Sequence, residues 1–143
     1  RVPAGEFYNN DGINYLNKSE DELLASIHFP PYEGWLMNYK KLRRRNSIDF
    51  PILGAVTALS FDKSGVCVQA RIVLGAVASC PLRATEAEEI LIGRTLTAER
   101  IKTAAQAASK LAKPMDNTDM ALGYRKKMVA KFVEEAIKEA LVS

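Results

Sequence analysis

Much of the chemistry that marks a self-contained catalyst is absent from this sequence. It holds two cysteines, Cys67 and Cys80, too few for an iron–sulfur cluster or a cysteine-rich zinc site. Both sit among small or apolar neighbours, so they read as small buried hydrophobes in a reducing cytosol. His28 is the only histidine, and a zinc site or a Ser-His-Asp triad would have to rest on it alone. It alternates with Ala25, Ile27 and Phe29, which predicts an exposed position on a strand face. There is no GxGxxG, Walker loop, HExxH, CxxC or GxSxG. No apolar run approaches the roughly 18 residues of a membrane span. Arg1-Val2-Pro3 does not read as a secretory leader, and with no Met at position 1 the chain is expected to be a piece of something longer.

What remains is the composition of one folded domain. The chain has 143 residues, 48% hydrophobic and 26% charged, which excludes disorder and leaves no room for two full domains. Twenty Lys and Arg against seventeen Asp and Glu give a net charge of +3, too small to imply nucleic acid by itself. The cations are unevenly spread, however. Lys40, Lys41, Arg43, Arg44 and Arg45 fall within six consecutive residues.

Local patterning predicts strands first and helices second. Residues 1–22 have little periodicity and carry an Asn-Asn-Asp-Gly turn at 9–12, so they read as a linker. Residues 23–29 alternate well enough for a first strand, closed by Pro30-Pro31. A loop with Trp35 over 32–38 leads to a short strand over 39–43. Residues 52–61 and 66–77 read as a hairpin around Asp62-Lys63-Ser64-Gly65, whose small residues would let helices approach closely. Everything after Pro81 reads as helical. Thr85 and Glu88 suggest a capping box, and Gly93 a stop. Thr97 caps a second helix with an apolar face of Ile101, Ala104, Ala105, Ala108 and Leu111, ended by Pro114. A third helix starts near Asp119 and buries Val129, Phe132, Val133, Ala136, Ile137, Ala140 and Leu141. This order predicts an α+β fold: a three- to four-stranded antiparallel sheet followed by three helices packed on one face. The acidic cluster Glu86, Glu88 and Glu89 falls in a first helical turn, where the helix dipole favours it, so it reads as structural.

The basic run is the one segment that reads as a site. It joins an exposed polar stretch to the deepest strand through Asp49-Phe50-Pro51, and polar groups placed there would be held by a rigid element. A solvated face, a nucleic-acid surface or an anion or cofactor edge would each fit the charge alone.

The same segment carries a family resemblance. Tyr39-x-Lys41, the stretch Arg43 to Arg45, Asp49-Phe50-Pro51 and Gly54 resemble the C-terminal domain of the flavoprotein subunit of molybdenum hydroxylases. That group includes xanthine dehydrogenase, aerobic carbon monoxide dehydrogenase and 4-hydroxybenzoyl-CoA reductase. The hairpin segment from Ala70 to Ala78, Pro81-x-Arg83-Ala84 and Gly123-Tyr124-Arg125-Lys126 match as well. Asp11-Gly12-Ile13 and Asp21-Glu22-Leu23-Leu24 look most like the 4-hydroxybenzoyl-CoA reductase branch.

The resemblance implies that 1–22 is a linker from an upstream FAD domain and 23–143 the C-terminal-like domain. It implies a cytoplasmic, multi-subunit molybdenum, iron–sulfur and FAD oxidoreductase in which this domain alone is inactive. FAD would be shared with the upstream domain, and molybdopterin and iron–sulfur clusters would lie on partner subunits. No catalytic or metal-ligating residue is expected here. Lys41, Asp49 and Phe50 would approach the isoalloxazine ring. A subunit-docking module with no direct cofactor role is the alternative, and neither nucleic acid nor a membrane span is expected.

Overall fold

The computed structural model describes residues 1–46, 48–116 and 120–142. Four strands form one antiparallel sheet in sequence order: β1 (Trp35–Leu42), β2 (Leu53–Phe61), β3 (Cys67–Gly75) and β4 (Leu82–Arg83). Three helices follow: α1 (Thr85–Leu91), α2 (Ala98–Lys110) and α3 (Leu122–Ala140). The α+β expectation therefore holds, strands before helices. α3 packs on β1 and β2, α1 packs on β3, and α2 lies against both of the other helices. The core forms between these layers from Leu53, Ala55 and Leu59 of β2, Ala70, Ile72 and Leu74 of β3, and the inner faces of the helices.

The β2–β3 hairpin turns where expected. The Asp62 carboxylate accepts from the Ser64 and Val66 amides at 2.8 and 3.0 Å and from the Ser64 hydroxyl at 2.7 Å, while Gly65 takes a φ of +81°. Such a φ is open to glycine because it has no Cβ. Register shifts between Ser60 and Phe61, where the strand bulges before the turn.

Several expectations need correction. Residues 23–29 carry no regular secondary structure, and among the described residues no strand pairs with them to complete a ladder. His28 is exposed, though not on a sheet. β1 instead starts at Trp35, inside the expected loop, and pairs with β2 from Trp35↔Ser60 to Leu42↔Leu53. The fourth strand comes from Leu82 and Arg83, just after Pro81, where only helix was expected.

The capping box at Thr85 does not form either. Ala84 is the N-cap with no side-chain bond, and Glu88 turns inward. Its buried carboxylate accepts from the Ile72 amide at 3.0 Å and from Arg83 Nε and Nη2 at 3.0 and 2.7 Å, with Arg71 Nη1 at 3.8 Å. β4 is too short to satisfy the whole β3 edge, and this carboxylate supplies an acceptor that a longer strand would have supplied.

The helical expectations need smaller changes. Thr97 does cap α2, accepting from the Arg100 amide. The helix ends at Lys110, leaving Leu111 exposed before Pro114 is reached. α3 begins at Leu122, and the expected start at Asp119 lies outside the described residues. Phe132 is only half-buried against the core and Leu141 is exposed, while Val129, Val133, Ala136, Ile137 and Ala140 are buried. Cys67 is buried and Cys80 half-buried, both as free thiols.

The least expected core residue is Arg125. It is buried in the first turns of α3, and no carboxylate pairs with it among the described residues. Its guanidinium donates instead to three backbone carbonyls: Ile52 at 3.2 and 3.3 Å, Met115 at 2.8 Å, and Ala76. Ala76 holds a φ of +62°. For a residue with a Cβ that conformation costs about 1–2 kcal/mol. Arg125→Leu would leave these carbonyls without their donor and should cost about 3–5 kcal/mol, read as a lower denaturant midpoint at unchanged slope. Phe132→Ala, at a half-buried site, should cost about 1–3 kcal/mol, below the range for a fully buried phenylalanine.

Candidate functional site

β1 is an edge strand, and its alternation divides the basic run between two faces. Lys40 points toward the helices. Its ammonium donates to Glu139 Oε1 at 2.5 Å and lies 3.8 Å from Glu135 Oε2, both on α3. The hydrogen bond to Glu139 raises the Lys40 pKa above its ordinary value. Tyr39 and Lys41 lie on the opposite, helix-free face, so adjacent lysines have different tasks. Such a division does not present the continuous basic stripe that a nucleic-acid backbone would follow.

On the helix-free face Lys41 stands directly across from Gly54. The Tyr39 ring reaches diagonally over the same glycine: a Cβ built on Gly54 would come within 3.1 Å of the Tyr39 hydroxyl oxygen and 3.2 Å of its ring. Glycine near the start of β2 makes room for an aromatic ring lying against the sheet. Lys41 is half-buried and donates from Nζ to the Asp49 carbonyl oxygen at 2.6 Å.

Asp49 organises the loop between β1 and β2. Its carboxylate accepts from the Arg44 and Arg45 amides at 3.0 Å each, and Arg45 Nη2 lies 3.4 Å from its other oxygen. These bonds, the Arg45 amide first, hold the Asp49 pKa below its ordinary value. Two further links close the loop base: the Ile52 amide donates to the Leu42 carbonyl at 2.9 Å, and Arg125 holds the Ile52 carbonyl from within.

Thus Lys41 and Asp49, expected from the sequence to share a site, do meet, though through a backbone carbonyl and not through an ion pair. Phe50 follows immediately and is 89% exposed, with its ring uncovered. Tyr39, Lys40, Lys41, Arg43 and Glu139 line an open groove of about 430 Å³ beside them. Glu139 had no signal in the sequence, since it comes from the other end of the chain. The placement of Tyr39 had one, in Gly54, the glycine opposite the Tyr-x-Lys motif. The remaining acidic candidates, Glu86 and Glu89, are exposed on α1 and take no part. Among the described residues no cluster of His, Cys, Asp and Glu could hold a metal.

Comparison with known proteins gives the family of the chain. Residues 37–140 match the family described as the CO dehydrogenase flavoprotein C-terminal domain. The 6-hydroxypseudooxynicotine dehydrogenase complex subunit alpha of Paenarthrobacter nicotinovorans is 31% identical over 121 residues, covering 84% of this chain and 40% of that protein. The carbon monoxide dehydrogenase medium chain of Afipia carboxidovorans is 31% identical over 140 residues, covering 97% of this chain and 47% of that protein. The solved structure of reconstituted CO dehydrogenase from Oligotropha carboxidovorans superposes with a TM-score of 0.84 at 30% identity, over 98% of this chain and 48% of that one. The chain therefore spans about half the length of these relatives.

Because the Asp49 pKa is depressed, its contribution to loop order is present at neutral pH. That contribution is lost only as pH falls through the lowered value, below the ordinary 3.8. Amide shifts of Arg44 and Arg45 should stay constant from pH 7 to about 4 and move only below that, near the carboxylate reference range. Asp49→Ala should move both at neutral pH.

Proposed function

The chain belongs to the CO dehydrogenase flavoprotein C-terminal domain family, and from that premise we propose that it forms one wall of an FAD site in a molybdenum hydroxylase. Lys41, Asp49 and Phe50 would meet the isoalloxazine ring. The observation that carries this reading is that Lys41, on the open sheet face, meets the Asp49 carbonyl, and that Asp49 is followed directly by an uncovered Phe50.

The residues present fit part of such a group. The Lys41 ammonium spends one donor on Asp49 and keeps others for a ring carbonyl or nitrogen. Phe50 and Tyr39 offer aromatic surface to a flat ring. No glycine-rich loop for the diphosphate occurs in this sequence, so that part of the site would lie upstream. FAD, when bound, would pass electrons between iron–sulfur clusters and an external partner. This domain's own contribution is then positional and electrostatic. Asp49 fixes the loop, its carbonyl orients Lys41, and the Lys41 charge favours the more negative, reduced form of a neighbouring ring. The iron–sulfur and molybdopterin subunits, residues 1–22 as the linker from an upstream FAD domain, and a cytoplasmic setting consistent with two free thiols belong to the same proposal. So does the affinity to the 4-hydroxybenzoyl-CoA reductase branch, which rests on residues 11–13 and 21–24 alone.

The test is the flavin potential of the assembled enzyme. Lys41→Met should lower it by some tens of millivolts, about 30 mV being roughly 1.4 kcal/mol for a two-electron couple, with molybdenum-site chemistry unchanged. Lys40→Met, which disturbs only the contact with α3, should leave the potential where it was. An unmoved potential in Lys41→Met would leave the basic run as a subunit-docking face. The 143-residue chain by itself should purify colourless, since ring contacts without a diphosphate site leave most of FAD exposed; yellow protein with stoichiometric flavin would contradict this.

A further inference from the structure

Two contacts place Lys41 on the open face. Gly54 stands directly across from it on β2, and the Asp49 carbonyl accepts from its Nζ at 2.6 Å. Ile52 lies between those two residues in the chain. Arg125 grips it with two donors on one carbonyl oxygen, Nε at 3.3 Å and Nη2 at 3.2 Å. The link from Ile52 back to Asp49 is short and stiff. Pro51 has its φ fixed by its ring, and a residue before proline, here Phe50, is confined to extended conformations. A displacement of the Ile52 carbonyl is therefore passed to the Asp49 carbonyl with few soft torsions to absorb it.

The same guanidinium also reaches away from the site. Nη1 donates to Met115 at 2.8 Å, in the connection between α2 and α3, and Nη2 donates to Ala76 just after β3. The Lys113 amide ties that connection to the end of β3 a second time, at the Val77 carbonyl, 2.8 Å away. Ala76 keeps a φ of +62° although it carries a Cβ. Strain of this kind persists where the surroundings over-determine the backbone.

We propose that Arg125 is a positioning residue for the flavin-facing lysine. Through Ile52 it sets where the Asp49 carbonyl holds the Lys41 ammonium, and it couples the α2–α3 connection to the cofactor edge. This deepens the flavin reading of Lys41 and rests on it. Arg125 acts by its fork and not by its charge. A lysine in its place keeps the charge but has no planar set of donors, so it cannot serve three carbonyls on separate segments in the same geometry.

The test is the flavin potential of the assembled enzyme carrying Arg125→Lys. Without the fork Lys41 should range further from the ring, and the potential should fall as for Lys41→Met but by less. The expected size is a roughly threefold change in the ratio of reduced to oxidised flavin, about 14 mV for a two-electron couple. In a Lys41→Met background Arg125→Lys should add nothing, because the group it positions is gone. Leu91→Ala opens a cavity in α1, which packs on β3; it should lower stability and leave the potential where it was. An unmoved potential in Arg125→Lys, beside a lowered one in Lys41→Met, would overturn this inference and leave the flavin reading intact. An equal fall in the Lys41→Met background, or in Leu91→Ala, would overturn it as an effect of charge or of stability. If Lys41→Met itself moves nothing, both fall. Should Arg125→Lys not assemble, hydrogen exchange in the unmodified enzyme decides. Peptides over residues 48–54 and 111–116 should lose protection together at low denaturant, and independent opening would overturn the coupling.

Discussion

Everything near the candidate site depends on a guanidinium that no carboxylate among the described residues pairs with. Arg125 gathers the carbonyls of Ile52, Ala76 and Met115, which belong to the entry into β2, the exit from β3 and the connection before α3. Each lies where the chain leaves regular structure, so none has a ladder or helix partner guaranteed. A planar group with five donors in a fixed fork can serve three such acceptors at once, which a lysine cannot. The strained Ala76 conformation is tolerated because the carbonyl it presents is bonded by a charged donor. With Ile52 held from inside and tied to Leu42 from outside, the loop containing Asp49 and Phe50 has a rigid base.

Glu88 does the corresponding work at the other side of the sheet. There the chain has only two residues of β4 to offer, and a buried carboxylate clasped by Arg83 takes over at Ile72. The two buried charges thus complete hydrogen bonding where the sheet runs out of strand. They also hold the helices to a single face. The consequence for function is that the other face is left open, and the odd-numbered residues of β1 are displayed on it.

How much of this was legible depended on the range of the interaction. The hairpin around Asp62 and Gly65, the Thr97 cap and the apolar faces of α2 and α3 involve residues a few positions apart, and periodicity or turn chemistry reports them. The segment 23–29 shows the limit. Its alternation is real, but a strand is defined by its neighbour, and among the described residues no strand pairs with it. Glu88 shows another: a glutamate three residues after a threonine fits a capping box, and only burial beside Arg83 and β3 reveals that the carboxylate has a better partner. Phe132 sits at the right helical spacing, yet at the margin of the contact with the sheet, and spacing does not locate margins.

At the site the same division holds. The sequence by itself determined that Tyr39, Lys41, Asp49, Phe50 and Gly54 form one motif, that Lys40 and Lys41 face opposite ways if extended, and that strands precede helices. The first is what the family resemblance implies; the other two are statements about spacing along a chain with a period of two or 3.6. Only the tertiary structure decided that Lys41 reaches the backbone of Asp49, that Tyr39 lies over Gly54, and that Lys40 is drawn to Glu139 from the last helix. These contacts bring together groups whose separation in sequence carries no information about their distance. They are set by the register of β1 on β2 and by where α3 lies on the sheet, and packing of the whole core fixes both at once.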